Sequence, residues 1–96
     1  MKEQVVWITG ASSGIGEELA QQYARRGYKV ILSARRVSEL ERVKASCVQL
    51  ENVAIVPLDL TAFDTLEGKV KEAIACFGSV DLLINNGGVS QRSLIV

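Results

Sequence analysis

The sequence predicts an α/β protein built on a doubly wound parallel sheet. Three observations lead there. Apolar runs of strand character alternate with stretches whose apolar residues recur at helical spacing, in the order β-α-β-α-β-α-β. The strand-like runs are apolar throughout, as expected when helices cover both faces of a sheet. A glycine-rich turn, Gly10-Ala11-Ser12-Ser13-Gly14-Ile15-Gly16, joins the first run to the first helical stretch.

The first strand is expected from about Gln4 to Thr9, where Val5-Val6-Trp7-Ile8 has the β-branched and aromatic character of a buried strand. The first helix should begin near Ser13 or Gly14 and reach Arg26, with Leu19, Ala20, Tyr23 and Ala24 on its apolar face. Arg25 and Arg26 suit the negative end of its dipole, and Gly27 suits the residue just past its end. The second strand runs from Tyr28 to Ser33. A helix between two strands makes a right-handed crossover, so these strands should be parallel neighbours.

Ser38 followed by Glu41 reads as a capping box opening the second helix. Leu40, Val43, Cys47 and Leu50 carry that helix to about Glu51, and Asn52 can end it. Val53 to Leu58 forms the third strand. Pro57 has no amide hydrogen to give, which favours a sheet edge or the strand end. Leu66, Val70, Ala73, Ile74 and Phe77 define the third helix, with Asp64 and Glu67 in its first turn and Gly78 closing it. The fourth strand is Asp81 to Asn85, ended by a turn at Gly87-Gly88. The expected strand order is 3-2-1-4, the nucleotide-binding half of a Rossmann fold plus the strand after the topological switch. Residues 1–96 thus read as part of a single nucleotide-binding Rossmann domain.

Composition narrows the functions. The 96 residues allow one modest core, and 11 basic residues cancel 11 acidic ones, giving no bulk attraction for nucleic acid or anionic membranes. The absence of histidine removes the commonest zinc ligand and general base from this chain. Cys47 and Cys76 lie on helical apolar stripes, where reduced packing residues are expected rather than a disulfide or a reactive thiol. No apolar run reaches the roughly 20 residues of a membrane span. Lys2-Glu3-Gln4 leads straight into the first strand and leaves no room for a signal peptide, so the chain as given is expected in the cytoplasm.

Four signals carry the chemistry. A strand, a glycine turn and a helix start bind phosphate, because the first helical amides lack partners and sit at the positive end of the dipole. Glycine lets the backbone approach a pyrophosphate with no Cβ in the way. Gly10, Ser12, Ser13, Gly14, Ile15 and Gly16 are the candidates, spaced G-x-x-x-G-x-G rather than G-x-G-x-x-G. Glycine used for packing alone is the competing explanation.

The second signal is Ser33-Ala34-Arg35-Arg36, where an NAD-binding protein usually carries an acid for the ribose 2′-hydroxyl. Arginine instead suits a 2′-phosphate, through charge and paired hydrogen bonds. NADP(H) is therefore the expected cofactor, with Arg35 the stronger candidate and Arg36 the second, and solvated pre-helix residues the alternative. Third, Asp59 and Leu60 follow the third strand and can meet adenine through a carboxylate and a backbone group, unless Asp59 only caps a turn. Fourth, Asn85-Asn86-Gly87-Gly88 can tie strand ends together and pass close to a ribose; Asn86 and Gly87 are the candidates.

Together these stretches make the chain similar to the amino-terminal part of a short-chain dehydrogenase/reductase. Thr9 to Gly16 resembles the family's cofactor motif, Arg35 its NADP-associated basic position, and Asp59-Leu60 its adenine pair. Asn85-Asn86-Gly87-Gly88 is similar to its Asn-Asn-Ala-Gly motif, with Gly87 replacing alanine. The wording from Leu32 to Arg36 and from Asn85 to Ser93 further resembles the family's member-7 branch.

The resemblance implies an NADP(H)-dependent carbonyl reductase or alcohol dehydrogenase acting on a small-molecule carbonyl or alcohol, with steroids and retinoids as the branch's substrates. It also implies an endoplasmic-reticulum membrane location for a longer parent, and a homo-oligomer. The family's catalytic serine and Tyr-x-x-x-Lys pair fall beyond the point matching Val96. Tyr23 is followed four residues on by Gly27, and Tyr28 by Leu32, so no catalytic residue is assigned. A non-catalytic nucleotide-binding or regulatory truncation that pairs with a full-length relative is the alternative. Apolar surface near Leu82, Leu83 and Ile84 is expected to leave the chain marginally stable or to promote association.

Overall fold

A computed structural model of the protein describes residues 4–12, 14–47, 50–59 and 63–86. Its elements are β1 (Val5–Thr9), α1 (Gly14–Arg25), β2 (Lys29–Ser33), α2 (Val37–Ala45), β3 (Val53–Ile55), α3 (Leu66–Phe77) and β4 (Leu82–Asn85), with short 3-10 turns at Leu50–Asn52 and Phe63–Thr65. The strands form one four-stranded sheet in the order β3-β2-β1-β4. Every pairing is parallel: Thr9 lies level with Ser33 on one side and with Asn85 on the other. This is the doubly wound arrangement expected from the alternating pattern.

Strand parity explains why apolar runs were needed rather than alternation. Val6, Ile8, Val30, Leu32 and Val53 face α1 and α2, packing with Ala20, Ala24, Leu40, Val43 and Cys47. Val5, Trp7, Ile31, Val56 and Leu58 face the other way, toward Ala73 of α3, with Leu66, Cys76 and Phe77 packed around them. All five residues of β1 are buried, because the strand has neighbours on both edges and helices on both faces. The two thiols belong to opposite faces and both are free.

Pro57 sits where the missing donor does least harm. The Val56 and Leu58 amides donate to the Leu32 and Ala34 carbonyls, each at 2.9 Å. Alternate amides of a strand point to opposite edges, so position 57 faces the open side of the outermost strand.

The second helix differs from expectation at both ends. It starts at Val37 behind Arg36, whose backbone is extended and whose side chain makes no cap. Ser38 therefore lies inside the first turn, and the Ser38-Glu41 pattern does not act as a capping box. The helix stops at Ala45 rather than near Glu51, because the next amides switch to shorter bonds. Ser46 donates its amide to the Val43 carbonyl and Cys47 donates to Lys44, each at 3.0 Å. The Ser46 hydroxyl adds a 2.6 Å bond to the same Val43 carbonyl. Leu50 falls in the following turn and is 46% exposed, so it is not a core residue.

The third helix ends at Gly78, which adopts the left-handed conformation (φ 90°) and donates its amide to the Ile74 carbonyl at 2.8 Å. Asp64 lies in the 3-10 turn before that helix, while Glu67 is in its first turn. On the sheet edge, Leu82, Leu83 and Ile84 are each half-buried, unlike the fully buried β1 residues beside them. Val70 and Ile74, one turn apart on α3, are exposed. Among the described residues no helix is long and apolar enough to cross a membrane. No group of three or more potential metal ligands forms among them either.

Candidate cofactor site

The parallel strands bring the four sequence signals to one edge. Thr9, Ser33 and Asn85 end level with one another, and the chain leaves each strand there toward Gly10, Arg35 and Asn86. Leu58 bonds to Ala34, which brings the chain before Asp59 to the same carboxyl edge. Ligands of open α/β sheets bind at this edge, beside the point where strand order reverses, here between β1 and β4.

The glycine turn is held from three directions. Gly10 takes a left-handed backbone (φ 66°), which a side chain would strain. Ala11 donates its amide to the Ser33 carbonyl at 3.1 Å, fixing the turn to the end of β2. Asn86 donates its amide to the Thr9 carbonyl at 3.0 Å, and its side-chain amide donates to the Gly10 carbonyl at 3.3 Å. Thr9 Oγ1 donates to Asn85 Oδ1 at 2.8 Å, so both asparagines fasten β4 to the turn, as their position suggested.

Two glycines of the turn differ in what they make room for. A Cβ on Gly16 would lie 2.4 Å from Gly10 O, 2.9 Å from Ala11 Cα and 3.0 Å from Asn86 Nδ2. Gly16 is buried and serves packing: it lets the start of α1 press against the turn. A Cβ on Gly14 would meet nothing within 4 Å among the described residues. Gly14 is exposed at the first position of a 12-residue helix, and Ile15 beside it is 68% exposed. Packing gives no reason for glycine at position 14. An exposed helix start of this kind is the sort of cradle at which anions are received, since the positive end of the helix dipole lies there.

Around this cradle, Ser12 and Asp59 are half-buried, while Arg35 and Arg36 are exposed. The residues Ser13, Leu60 and Gly87 lie outside the described residues. Both arginines stand between the end of β2 and the start of α2. Behind them, Arg42 of α2 donates from Nη1 to both Glu17 carboxylate oxygens at 3.1 Å, and from Nε to Glu39 at 3.1 Å. Hydrogen bonds to Glu17 and Glu39 push the Arg42 pKa further up. This bridge, with Gln21 Nε2 donating to Ser46 Oγ at 2.9 Å, ties α1 to α2 and its end.

Sequence reading passed over two anchors. Trp7 Nε1 donates to Ser33 Oγ at 2.7 Å in the buried interior. At the other end of the sheet, Asp81 Oδ2 accepts the Val5 amide at 2.9 Å, while the Asp81 amide donates to Val5 O at 2.9 Å. Neither has a spacing signal, since both join residues distant in the chain.

A parallel sheet in this order, with a glycine-rich turn after its first strand, is the architecture of the dehydrogenase type of α/β protein. The chain belongs to the short-chain dehydrogenase family, whose model matches residues 4–95. It is 52% identical over 99 aligned residues to the human dehydrogenase/reductase SDR family member 7, covering 98% of this chain and 29% of that protein. The chain therefore spans under a third of the length of that curated relative.

Among solved structures, it resembles an actinorhodin polyketide ketoreductase crystallised with NADPH, at 28% identity and a TM-score of 0.80, over 88% of this chain and 33% of that one. It also resembles the 3-ketoacyl-(acyl-carrier-protein) reductase of Brucella melitensis complexed with NADH, at 34% identity and a TM-score of 0.74, over 83% and 32% of the two chains. Nicotinamide cofactors of both kinds thus occur among the structural relatives.

Proposed function

We propose that this chain is the cofactor-binding, amino-terminal part of a Rossmann domain in an NADP(H)-dependent short-chain oxidoreductase. The observation that carries the reading is the pairing of an open cradle at Gly14 with an exposed Arg35 at the end of β2. Gly10, Ser12, Ser13, Gly14, Ile15 and Gly16 form the diphosphate turn, with Gly16 shaping it and Gly14 leaving room for close approach. Arg35, seconded by Arg36, holds the 2′-phosphate through charge and paired hydrogen bonds. Asp59 and Leu60 meet the adenine, and Asn86 and Gly87 border the ribose.

Bound NADP(H) supplies hydride exchange at the nicotinamide, with a small-molecule carbonyl or alcohol as the partner in the complete enzyme. This chain's residues bind and orient the cofactor; the residues that move the substrate proton are not among them.

The test is calorimetric titration of the folded chain with NADPH and NADH, for the wild type and for Arg35→Glu. NADPH is expected to bind the wild type at least tenfold more tightly, since the extra phosphate gains charge-assisted bonds of about 1.5–3 kcal/mol each. Arg35→Glu is expected to reverse the order, because a carboxylate repels the phosphate and accepts from a 2′-hydroxyl. Equal affinities in the wild type, or no binding by well-folded protein, refute the reading.

A further inference from the structure

Ser33 opens the stretch that carries Arg35 and Arg36 but is not itself one of the candidate cofactor contacts. It is fully buried at the end of β2, two residues before Arg35. Its hydroxyl oxygen accepts the Trp7 indole N–H at 2.7 Å, and its carbonyl accepts the Ala11 amide at 3.1 Å. The next carbonyl, Ala34 O, accepts the Leu58 amide at 2.9 Å. The chain leaving β2 is thus gripped by β1, by the glycine turn and by the strand β3 extends into, up to the residue before Arg35.

We infer that Ser33 is a positioning residue for cofactor choice: with Trp7 it fixes where Arg35 stands relative to the glycine turn. This rests on Arg35 taking the 2′-phosphate. The physical reason is distance control. A guanidinium holds a phosphate by paired bonds only if its backbone is fixed relative to the diphosphate seat. Ser33 supplies that constraint, because one residue bonds both the turn, through its carbonyl, and the core, through its hydroxyl. A tryptophan in the middle of β1 is the right partner. It spans from the strand interior to the strand end of its neighbour, and its indole N–H needs an acceptor when buried. Neither side chain touches the cofactor in this account, so both act through Arg35.

The experiment compares NADPH and NADH affinities by titration for the wild type, Ser33→Ala, Trp7→Phe and Arg35→Ala, together with Ser33→Ala in the Arg35→Ala background. Ser33→Ala removes the acceptor and Trp7→Phe removes the donor, so either variant tests the bond if the other fails to fold. The expected result is a loss of about five- to tenfold for NADPH and under twofold for NADH in both variants. In the Arg35→Ala background the Ser33→Ala effect on NADPH should shrink to less than twofold, the signature of action through Arg35.

Equal losses for both cofactors, or an undiminished Ser33→Ala effect without Arg35, overturn the inference while leaving NADPH preference standing. A wild type with no NADPH preference overturns both. Unchanged NADPH affinity in both folded variants also overturns the positioning role.

Discussion

Gly16→Ala places a new Cβ 2.4 Å from Gly10 O and 2.9 Å from Ala11 Cα. Both neighbours are backbone atoms, so neither can swing aside like a side-chain tip. The start of α1 must move off the turn, and overpacking of this kind costs about 1–3 kcal/mol or more. For a domain of this size, 1 kcal/mol corresponds to about 4–8 °C, so thermal unfolding should occur at least about 5 °C lower. Gly14→Ala meets nothing within 4 Å and sits on helical backbone. Alanine is the better helix former there, and the midpoint should hold or rise by a degree or two.

Binding should follow a different order. Gly14→Leu, which also has room in the fold, puts a branched side chain over the amides proposed to hold the diphosphate. Losing one or two charge-assisted bonds of about 1.5–3 kcal/mol each weakens NADPH by at least tenfold. Differential scanning fluorimetry and calorimetry on the three variants separate the two effects. A Gly14→Leu protein that keeps wild-type affinity refutes the close approach. A Gly16→Ala protein as stable as the wild type refutes the packing role.

Further outcomes are expected at Asp81, at Gly78 and at the two cysteines. Asp81→Ala leaves the buried Val5 amide without its 2.9 Å acceptor and should cost about 1–3 kcal/mol in urea unfolding, while Asp81→Asn, which keeps a carbonyl oxygen, should recover much of it. Gly78→Ala forces a side chain into left-handed backbone (φ 90°) at the end of α3 and should cost about 1 kcal/mol, read by the same method.

Burial pushes the Cys47 and Cys76 thiols up, with the Glu72 charge adding to the rise at Cys76. The folded chain therefore keeps these protons where the unfolded chain has begun to release them. The stability this contributes is whole below the ordinary thiol value and is lost as pH rises through the folded values. Urea midpoints should fall on moving above about pH 8.5 and recover in a Cys47→Ala, Cys76→Ala protein. Iodoacetamide should label the native thiols more slowly than the denatured ones.

The sheet was legible because its determinants are local or nearly so. Apolar runs, helical spacing and Gly27 and Gly78 each act within a few residues, and the crossover rule turns their order into parallel neighbours. Pro57 could be placed at an edge because a missing amide hydrogen excludes the alternatives. The end of α2 was not legible. Cys47 and Leu50 keep helical spacing, but Ser46 satisfies the Val43 carbonyl by shorter routes and ends the helix first. The Ser38-Glu41 spacing fits a cap equally well one residue inside a helix, where it caps nothing.

By itself the sequence determined the class of fold, the glycine turn and the basic pair that follows β2, since each depends on residue type at short range. Tertiary structure decided which glycine serves packing and which leaves space, because only the return of Gly10 and Asn86 against Gly16 tells them apart. It also decided that Trp7 meets Ser33 and that Asp81 holds Val5, 26 and 76 residues apart in the chain. Contacts at such separations arise when parallel strands register side by side, and no spacing along one strand records its neighbour.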